Sequence, residues 1–157
     1  MTIENTAGIG VNNRYGPVDT QEGVLSGGVL RTAGKVNDLV IYIRGEDFAS
    51  GSFDTQFTLP AGSIFIDAAA EVTEAFALGG TTPTINVGTN TTEGTNYGIE
   101  LSEAQAEATG TYYNATGAGT WAAPLAADTA VGVALDGTTP TVTSAGEAKV
   151  VIRYQKI

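Results

Sequence analysis

The chain has 157 residues, 42% of them hydrophobic and 15% charged, with a formal net charge of −10. That is long enough for one domain with a substantial core and too apolar for a disordered chain, yet no apolar run approaches the roughly 20 residues of a transmembrane helix. The absence of Cys and His excludes disulfides, thiolate metal sites and the Ser-His-Asp and Cys-His nucleophiles, and the net acidity argues against nucleic acid, whose phosphates need clustered Lys and Arg.

Residues 1–35 mix Gly, Asn, Thr and Val without period, which predicts an extended N-terminal arm with at most short strands near Gly23–Leu25 and Val29–Arg31. The segment holds more apolar side chains than a solvated tail, among them Tyr15, Val24, Leu25, Val29 and Leu30. An arm that cannot build its own core is expected to lie on something: its own body, a sister subunit or another protein. With Arg14, Arg31 and Lys35 it can reach across a neighbour and add strands to an exposed sheet edge, so Arg14, Tyr15, Val24, Leu25, Val29, Leu30, Arg31 and Lys35 are the candidate contact residues.

The body, residues 36–157, reads as strand after strand. Asp38–Arg44 is apolar on both faces and predicts a buried strand; Ser52–Leu59 alternates, with Phe53, Thr55, Phe57 and Leu59 inward. The turn Leu59-Pro60-Ala61-Gly62 leads into a long strand whose Ile64, Ile66, Ala68, Ala70 and Val72 share one face, with Asp67, Glu71 and Thr73 on the other. We expect this strand to be central. Gly79–Pro83 reads as a turn, Thr84–Gly88 and Tyr97–Leu101 as short strands, and Ser102–Ala108 as a two-turn helix capped by Ser102. Residues 110–124 are loop or short strand. Thr129–Leu135, Thr141–Thr143 and Ala148–Tyr154 complete the set, with turns at Asp136-Gly137 and Ser144–Gly146. About eight body strands at short spacing, rich in Gly and Thr, predict an all-β fold: a jelly-roll-like antiparallel β-sandwich. One echo stands out. Gly80-Thr81-Thr82-Pro83 recurs as Gly137-Thr138-Thr139-Pro140, which reads as two similar turns at equivalent positions of two sheets.

All Lys and Arg lie in the two ends of the chain, and none falls between Arg44 and Lys149, an interval that carries thirteen of the 17 acids. The molecule is therefore expected to be electrically two-sided. The bland explanation is solubility; the functional one is that the basic ends face an acidic partner while the body faces solvent.

Chemistry is sparse. No Gly-rich phosphate loop and no Asp-x-Asp-x-Asp-Gly calcium loop is present. Asp67 and Glu71, or Glu71 and Glu74, are the nearest to a glycosidase carboxylate pair, but strand spacing puts Asp67 and Glu71 on a wet face, which is ordinarily just that. No catalytic residue, cofactor or metal is expected. Tyr112, Tyr113 and Trp121 are aromatic candidates, either for a core or subunit interface or for a sugar-stacking platform.

Leu59-Pro60-Ala61-Gly62 with the alternating strand to Phe76, then Pro83–Gly88, then Pro124–Thr129 and the closing strand Ala148–Tyr154, resemble small structural proteins of tailed bacteriophages. The likeness is to capsid decoration, or cement, proteins with a β-sandwich or jelly-roll body, and it covers roughly residues 59–157. It implies a non-enzymatic virion protein on the capsid exterior, partnered by the major capsid protein, often a homotrimer, holding neighbouring capsomers against internal DNA pressure. The alternative is a phage tail or fibre sandwich that binds a host-surface glycan through Tyr112, Tyr113 and Trp121.

Overall fold

The computed structural model describes residues 28–33, 36–89, 97–113 and 123–157. It is an antiparallel β-sandwich. Among these residues nine strands run in chain order: β1 (Gly28–Ala33), β2 (Val36–Arg44), β3 (Phe53–Leu59), β4 (Ser63–Glu74), β5 (Leu78–Gly88), β6 (Tyr97–Ser102), β7 (Gly110–Tyr113), β8 (Thr129–Val142) and β9 (Glu147–Lys156). A 3₁₀ turn, Gly45–Ser50, follows β2, and a single-turn helix, α1 (Glu103–Ala106), follows β6. One sheet has the order β1-β2-β9-β4-β7 and the other β3-β8-β5-β6. From β2 onward each strand changes sheet except at the β5–β6 hairpin, which is jelly-roll-like winding.

The core lies between the sheets and is one cluster. Leu39, Ile41 and Ile43 of β2, Ala68, Ala70 and Val72 of β4, and Val150 and Ile152 of β9 face Ile85, Val87, Ile99, Leu101, Val131 and Val133 from the opposite sheet. β9 shows how the sequence achieves this: Ala148, Val150, Ile152 and Tyr154 are buried, and Lys149, Val151 and Arg153 alternate with them on the outside.

Several elements differ from the sequence-based expectation. The middle strand of the five-stranded sheet is β9, with β4 beside it. β4 does not keep one parity, because it advances two residues from Phe65 to Asp67 while β9 advances one, from Tyr154 to Arg153. Ile66 is the extra residue of this β-bulge. Ser63 and Phe65 therefore turn to the core before the bulge and Ala68, Ala70 and Val72 after it, which leaves Ile66 exposed and Ile64 only half-buried. β2 is buried on one face only, with Val40 half-buried and Tyr42 exposed on the other. The arm prediction meets the structure at Val29–Arg31, which lies within β1, paired with β2 from Gly28↔Ile41 to Ala33↔Val36. Gly23–Leu25 lies outside the described residues.

The repeated Gly-Thr-Thr-Pro segments are not turns on two sheets. They sit on adjacent strands, β5 and β8, and face each other: Thr81 is opposite Thr138 where the ladder shifts register. Thr82 and Thr139 adopt φ of 49° and 50°, a left-handed conformation rare for a β-branched residue, and each donates its hydroxyl to the preceding carbonyl at 2.8 Å. The glycines explain the composition. A Cβ on Gly80 would stand 2.7 Å from the Thr139 carbonyl oxygen, and one on Gly137 would stand 3.0 Å from those of Thr81 and Thr82. Each copy needs its Gly because the backbone of the other copy occupies the space. The clasp is reciprocal, and β5 and β8 run through it as single long strands.

β3 alternates as its sequence predicts. Its ladder to β8 breaks between Asp54 and Thr58, and there the buried Thr55 hydroxyl donates to the Val131 carbonyl and accepts the Phe57 N–H at 3.2 Å. A Thr in the core is thus explained by backbone groups that the bulge leaves unpaired.

The ends of the sandwich are closed differently. At one, the Phe48 ring meets Phe53 and Phe76 edge-on at centroid distances of 5.3 and 6.3 Å, Gly45 N donates to Gly146 O at 2.8 Å, and Phe76 N to Ala106 O at 3.0 Å. At the other, the turn Pro60–Ser63, with Gly62 at φ 80°, is bonded to Leu125, to the Asp128 carboxylate and to the Ile157 N–H. The first element of that turn is as the Pro-Ala-Gly signal predicts.

Candidate interaction surface

Among the described residues, the base-carrying segments from the two ends of the sequence come together in space. β1, β2 and β9 are neighbours, so Arg31, Arg44, Lys149, Arg153 and Lys156 all belong to the five-stranded sheet. The same strands carry Asp38, Asp67, Glu71, Glu74 and Glu147, which makes the sheet formally neutral. The four-stranded sheet carries Asp54, Glu100 and Asp136 and no Lys or Arg. The charge asymmetry of the sequence thus becomes an asymmetry between two faces.

On the outer face of the five-stranded sheet the register sets the residues in rows. Asp38, Arg153 and Asp67 lie abreast, and Arg153 bonds Asp38 at 2.9 Å and approaches Asp67 to 3.7 Å. The hydrogen bond that Arg153 donates to Asp38, with the charges of both carboxylates, holds the guanidinium more firmly protonated than usual. The next row is apolar: Val40, Val151, Ala69 and, on β7, Tyr113, with Val29 at the corresponding register position of β1. The row after it is Tyr42, Lys149, Glu71 and Thr111. Tyr113 is 79% exposed and Tyr42 and Ile66 each 40%. Among the residues whose exposure is described, the large apolar side chains left open are these three, Val36, and Ile157 just beyond β9; none belongs to the four-stranded sheet.

Of the sequence candidates, Val29, Leu30 and Arg31 fall on β1, the edge strand, opposite Val40, Leu39 and Asp38. Arg14, Tyr15, Val24, Leu25, Lys35 and Trp121 lie outside the described residues. Tyr112 and Tyr113 do not share a surface: Tyr112 packs against the core and donates its hydroxyl to the Ala108 carbonyl at 3.2 Å, whereas Tyr113 points out beside Ala69. Strand alternation separates them. Asp67 stands by Arg153 at 3.7 Å, and Glu71 is in register with Lys149. Among the described residues no group of three His, Cys, Asp or Glu side chains is placed to hold a metal ion, and no helix is long and apolar enough to cross a membrane.

Sequence reasoning missed Val40, Tyr42, Ile66 and Val151 as surface residues. The signal was present for β9, whose strict alternation puts Val151 with Lys149 and Arg153; for β4 the bulge hid it.

No family model matches the chain, and no curated protein matches it. Among solved structures the fold is similar to that of a chain in the acidic stable capsid structure of Helicobacter pylori bacteriophage KHP30, with a TM-score of 0.52 over 79% of this chain and 90% of that one, at 13% identity. A chain in the capsid of Ralstonia phage GP4 gives a TM-score of 0.49 over 80% and 87%, at 17% identity. At such identities the likeness to the KHP30 chain is one of fold, and the two-sheet sandwich described above is what this protein shares with it.

Proposed function

We propose that this protein is a structural component of a phage virion, a decoration or cement protein that binds the outer surface of the capsid and stabilises contacts between capsomers. The observation that carries the reading is the segregation of the two sheets: one is neutral, with apolar residues open, and the other has only acidic charges. A cement needs one face that adheres and one that stays in water, and it needs no turnover. The fold it shares with a chain of a phage capsid structure supports the same reading.

In this reading residues 1–35 act as the arm and residues 36–157 as the body, with β1 as the joint between them, since β1 already pairs with β2. The arm reaches the major capsid protein or a sister subunit, a homotrimer being the favoured assembly, and Arg14, Tyr15, Val24, Leu25, Val29, Leu30, Arg31 and Lys35 supply its contacts. Repetition on a symmetric shell turns individually weak contacts into firm attachment.

The test is a count and a truncation. Purified particles are expected to carry hundreds of copies, as repetition over a whole shell requires. Deletion of residues 1–27, which leaves β1 in place, should reduce binding to shells by at least tenfold while the melting temperature of the body stays within a few degrees. A free monomer that never associates with particles would overturn the proposal.

A further inference from the structure

We infer that Asp136-Gly137 is a site of spontaneous isoaspartyl formation, and that this rearrangement opens the clasp between β5 and β8. The inference does not depend on the cement reading. The reaction needs no co-reactant but water. The Gly137 nitrogen attacks Cγ of the protonated Asp136 carboxyl. A C–N bond forms, the nitrogen gives up its proton, and the carboxyl oxygen leaves as water. The product is a five-membered succinimide, which water opens at either carbonyl. Addition at Cγ restores Asp136. Addition at the main-chain carbonyl carbon leaves the chain running through Cβ and Cγ, which is the isoaspartyl form.

Three observations point to this pair. The first is in the sequence: no other Asp and no Asn precedes a Gly. A side chain on the following residue obstructs the attack, and Gly leaves the nitrogen open. The second is geometric. Gly137 N donates to Asp136 Oδ1 at 2.7 Å, so the nucleophilic atom already lies against the group it attacks, and proximity of this kind supplies much of the rate of an intramolecular reaction. The ladder explains the contact. β5 and β8 shift register between Thr81 and Thr84, where β8 passes from Thr138 to Asp136. Gly137 falls in that gap, and its N–H turns to the side chain beside it. The third is access: Asp136 and Gly137 are both exposed, so the water of the second step reaches them.

The position supplies the consequence. A Cβ on Gly137 would stand 3.0 Å from the Thr81 and Thr82 carbonyl oxygens, and the residue holds a φ of 128°. An isoaspartyl link adds one carbon to β8 immediately before this glycine. Gly137 can then no longer keep its seat against β5 while Asp136 stays opposite Thr84. The twin segment is a built-in contrast. Gly79 stands before Gly80 where Asp136 stands before Gly137, so the β5 half of the clasp lacks the carboxyl and cannot rearrange. The clasp therefore ages from one side only.

The test ages the full-length protein in warm neutral buffer. Isoaspartyl groups are read by methyl transfer from a protein-isoaspartyl carboxyl methyltransferase and located by electron-transfer fragmentation, and the clasp is followed by thermal melting. The modification is expected at residue 136, with a fall in melting temperature that tracks its fraction. Asp136→Glu keeps the carboxyl but would have to close a six-membered ring, so it should accumulate at least tenfold less and keep its melting temperature on ageing. Asp136→Asn closes the same ring with loss of ammonia and should accumulate at least tenfold faster. A synthetic peptide of residues 132–141 gives the rate without the fold, and the folded protein is expected to react within tenfold of it. Slower reaction than that, or accumulation in Asp136→Glu equal to that of the unmodified protein, would overturn the site. Isoaspartyl formation at residue 136 with an unchanged melting temperature would overturn its effect on the clasp.

Discussion

The two sheets obey the same alternation and bury similar aliphatic side chains, yet their outer faces and backbones differ. The five-stranded sheet is regular apart from the bulges on β4 at Ile66 and between Val72 and Glu74, and its outside is neutral and partly apolar. The four-stranded sheet is irregular, with the two-residue break in β3 and the Gly-Thr-Thr-Pro clasp between β5 and β8, and its strands carry no base. The difference teaches that the four-stranded sheet is set apart by particular backbone conformations, whereas the five-stranded sheet is set apart by the side chains on its outer face. Mutations should therefore separate the two: backbone substitutions in the four-stranded sheet should cost the most stability, and substitutions on the outer face of the five-stranded sheet the least.

The clasp gives the largest expected effect. Gly80→Ala places a Cβ against the Thr138 and Thr139 carbonyls at a φ of 109°, and Gly137→Ala does the same against Thr81 and Thr82 at 128°. Each is expected to cost about 3 kcal/mol from steric overlap and backbone strain. Because each substitution breaks the same reciprocal contact, the double variant should lose clearly less than the sum in a denaturant-melt cycle. Strict additivity would show that the copies act independently.

Thr55→Val comes next. It keeps the shape but leaves the Val131 carbonyl and the Phe57 N–H without their buried partner, with an expected loss of about 2 kcal/mol by urea unfolding. A loss near zero would mean that the β3 break needs no side-chain repair, and the contrast in backbone between the sheets would weaken.

A smaller effect, and one of opposite sign, belongs to Asp47 at the aromatic end. Burial pushes its carboxyl above the usual range, against the hydrogen bond from Arg44 N at 2.8 Å, and Glu46 adds to the rise. A folded-state value above the unfolded one means that this group's contribution is fully present in acid and is lost as pH rises through the folded value. Asp47→Asn retains an acceptor for Arg44 N, so it should raise stability at pH 7 by about 1 kcal/mol. The advantage should shrink as pH falls into the carboxyl range, which paired thermal melts across pH would reveal. An advantage independent of pH would assign it to packing.

The smallest effect lies on the five-stranded sheet. Arg153→Ala removes contacts to Asp38 and Asp67 that are largely open to solvent, so its expected cost is the smallest of the four and falls with added salt. A loss as large as that at the clasp would erase the distinction between the sheets.

Much of this was legible in the residues. Alternation in β3 and β9 identified their inward positions, the Pro-Ala-Gly turn was placed correctly, and Ser102 does precede a helix, of one turn rather than the two expected, where Gln105 reaches back to the Ser102 N–H at 3.0 Å. The candidate contact face was only partly legible. The bases at the two chain ends were visible, but that the ends lie side by side is a matter of strand order. Ile66 reads as a core residue because a period of two gives no warning of a bulge, and Asp38–Arg44 reads as buried on both sides because Val40 and Tyr42 are apolar whether or not anything covers them.

The sequence by itself determined most strand positions, the inward faces of β3 and β9 and the segregation of charge along the chain, since all three are local or additive properties of side chains. Tertiary structure alone decided that the twin Gly-Thr-Thr-Pro segments lock onto each other, that β4 changes parity, and that β1, β2 and β9 gather five of the seven cations onto one sheet. Each of these depends on which backbone lies next to which, and hydrogen bonding between residues far apart in the chain sets that order.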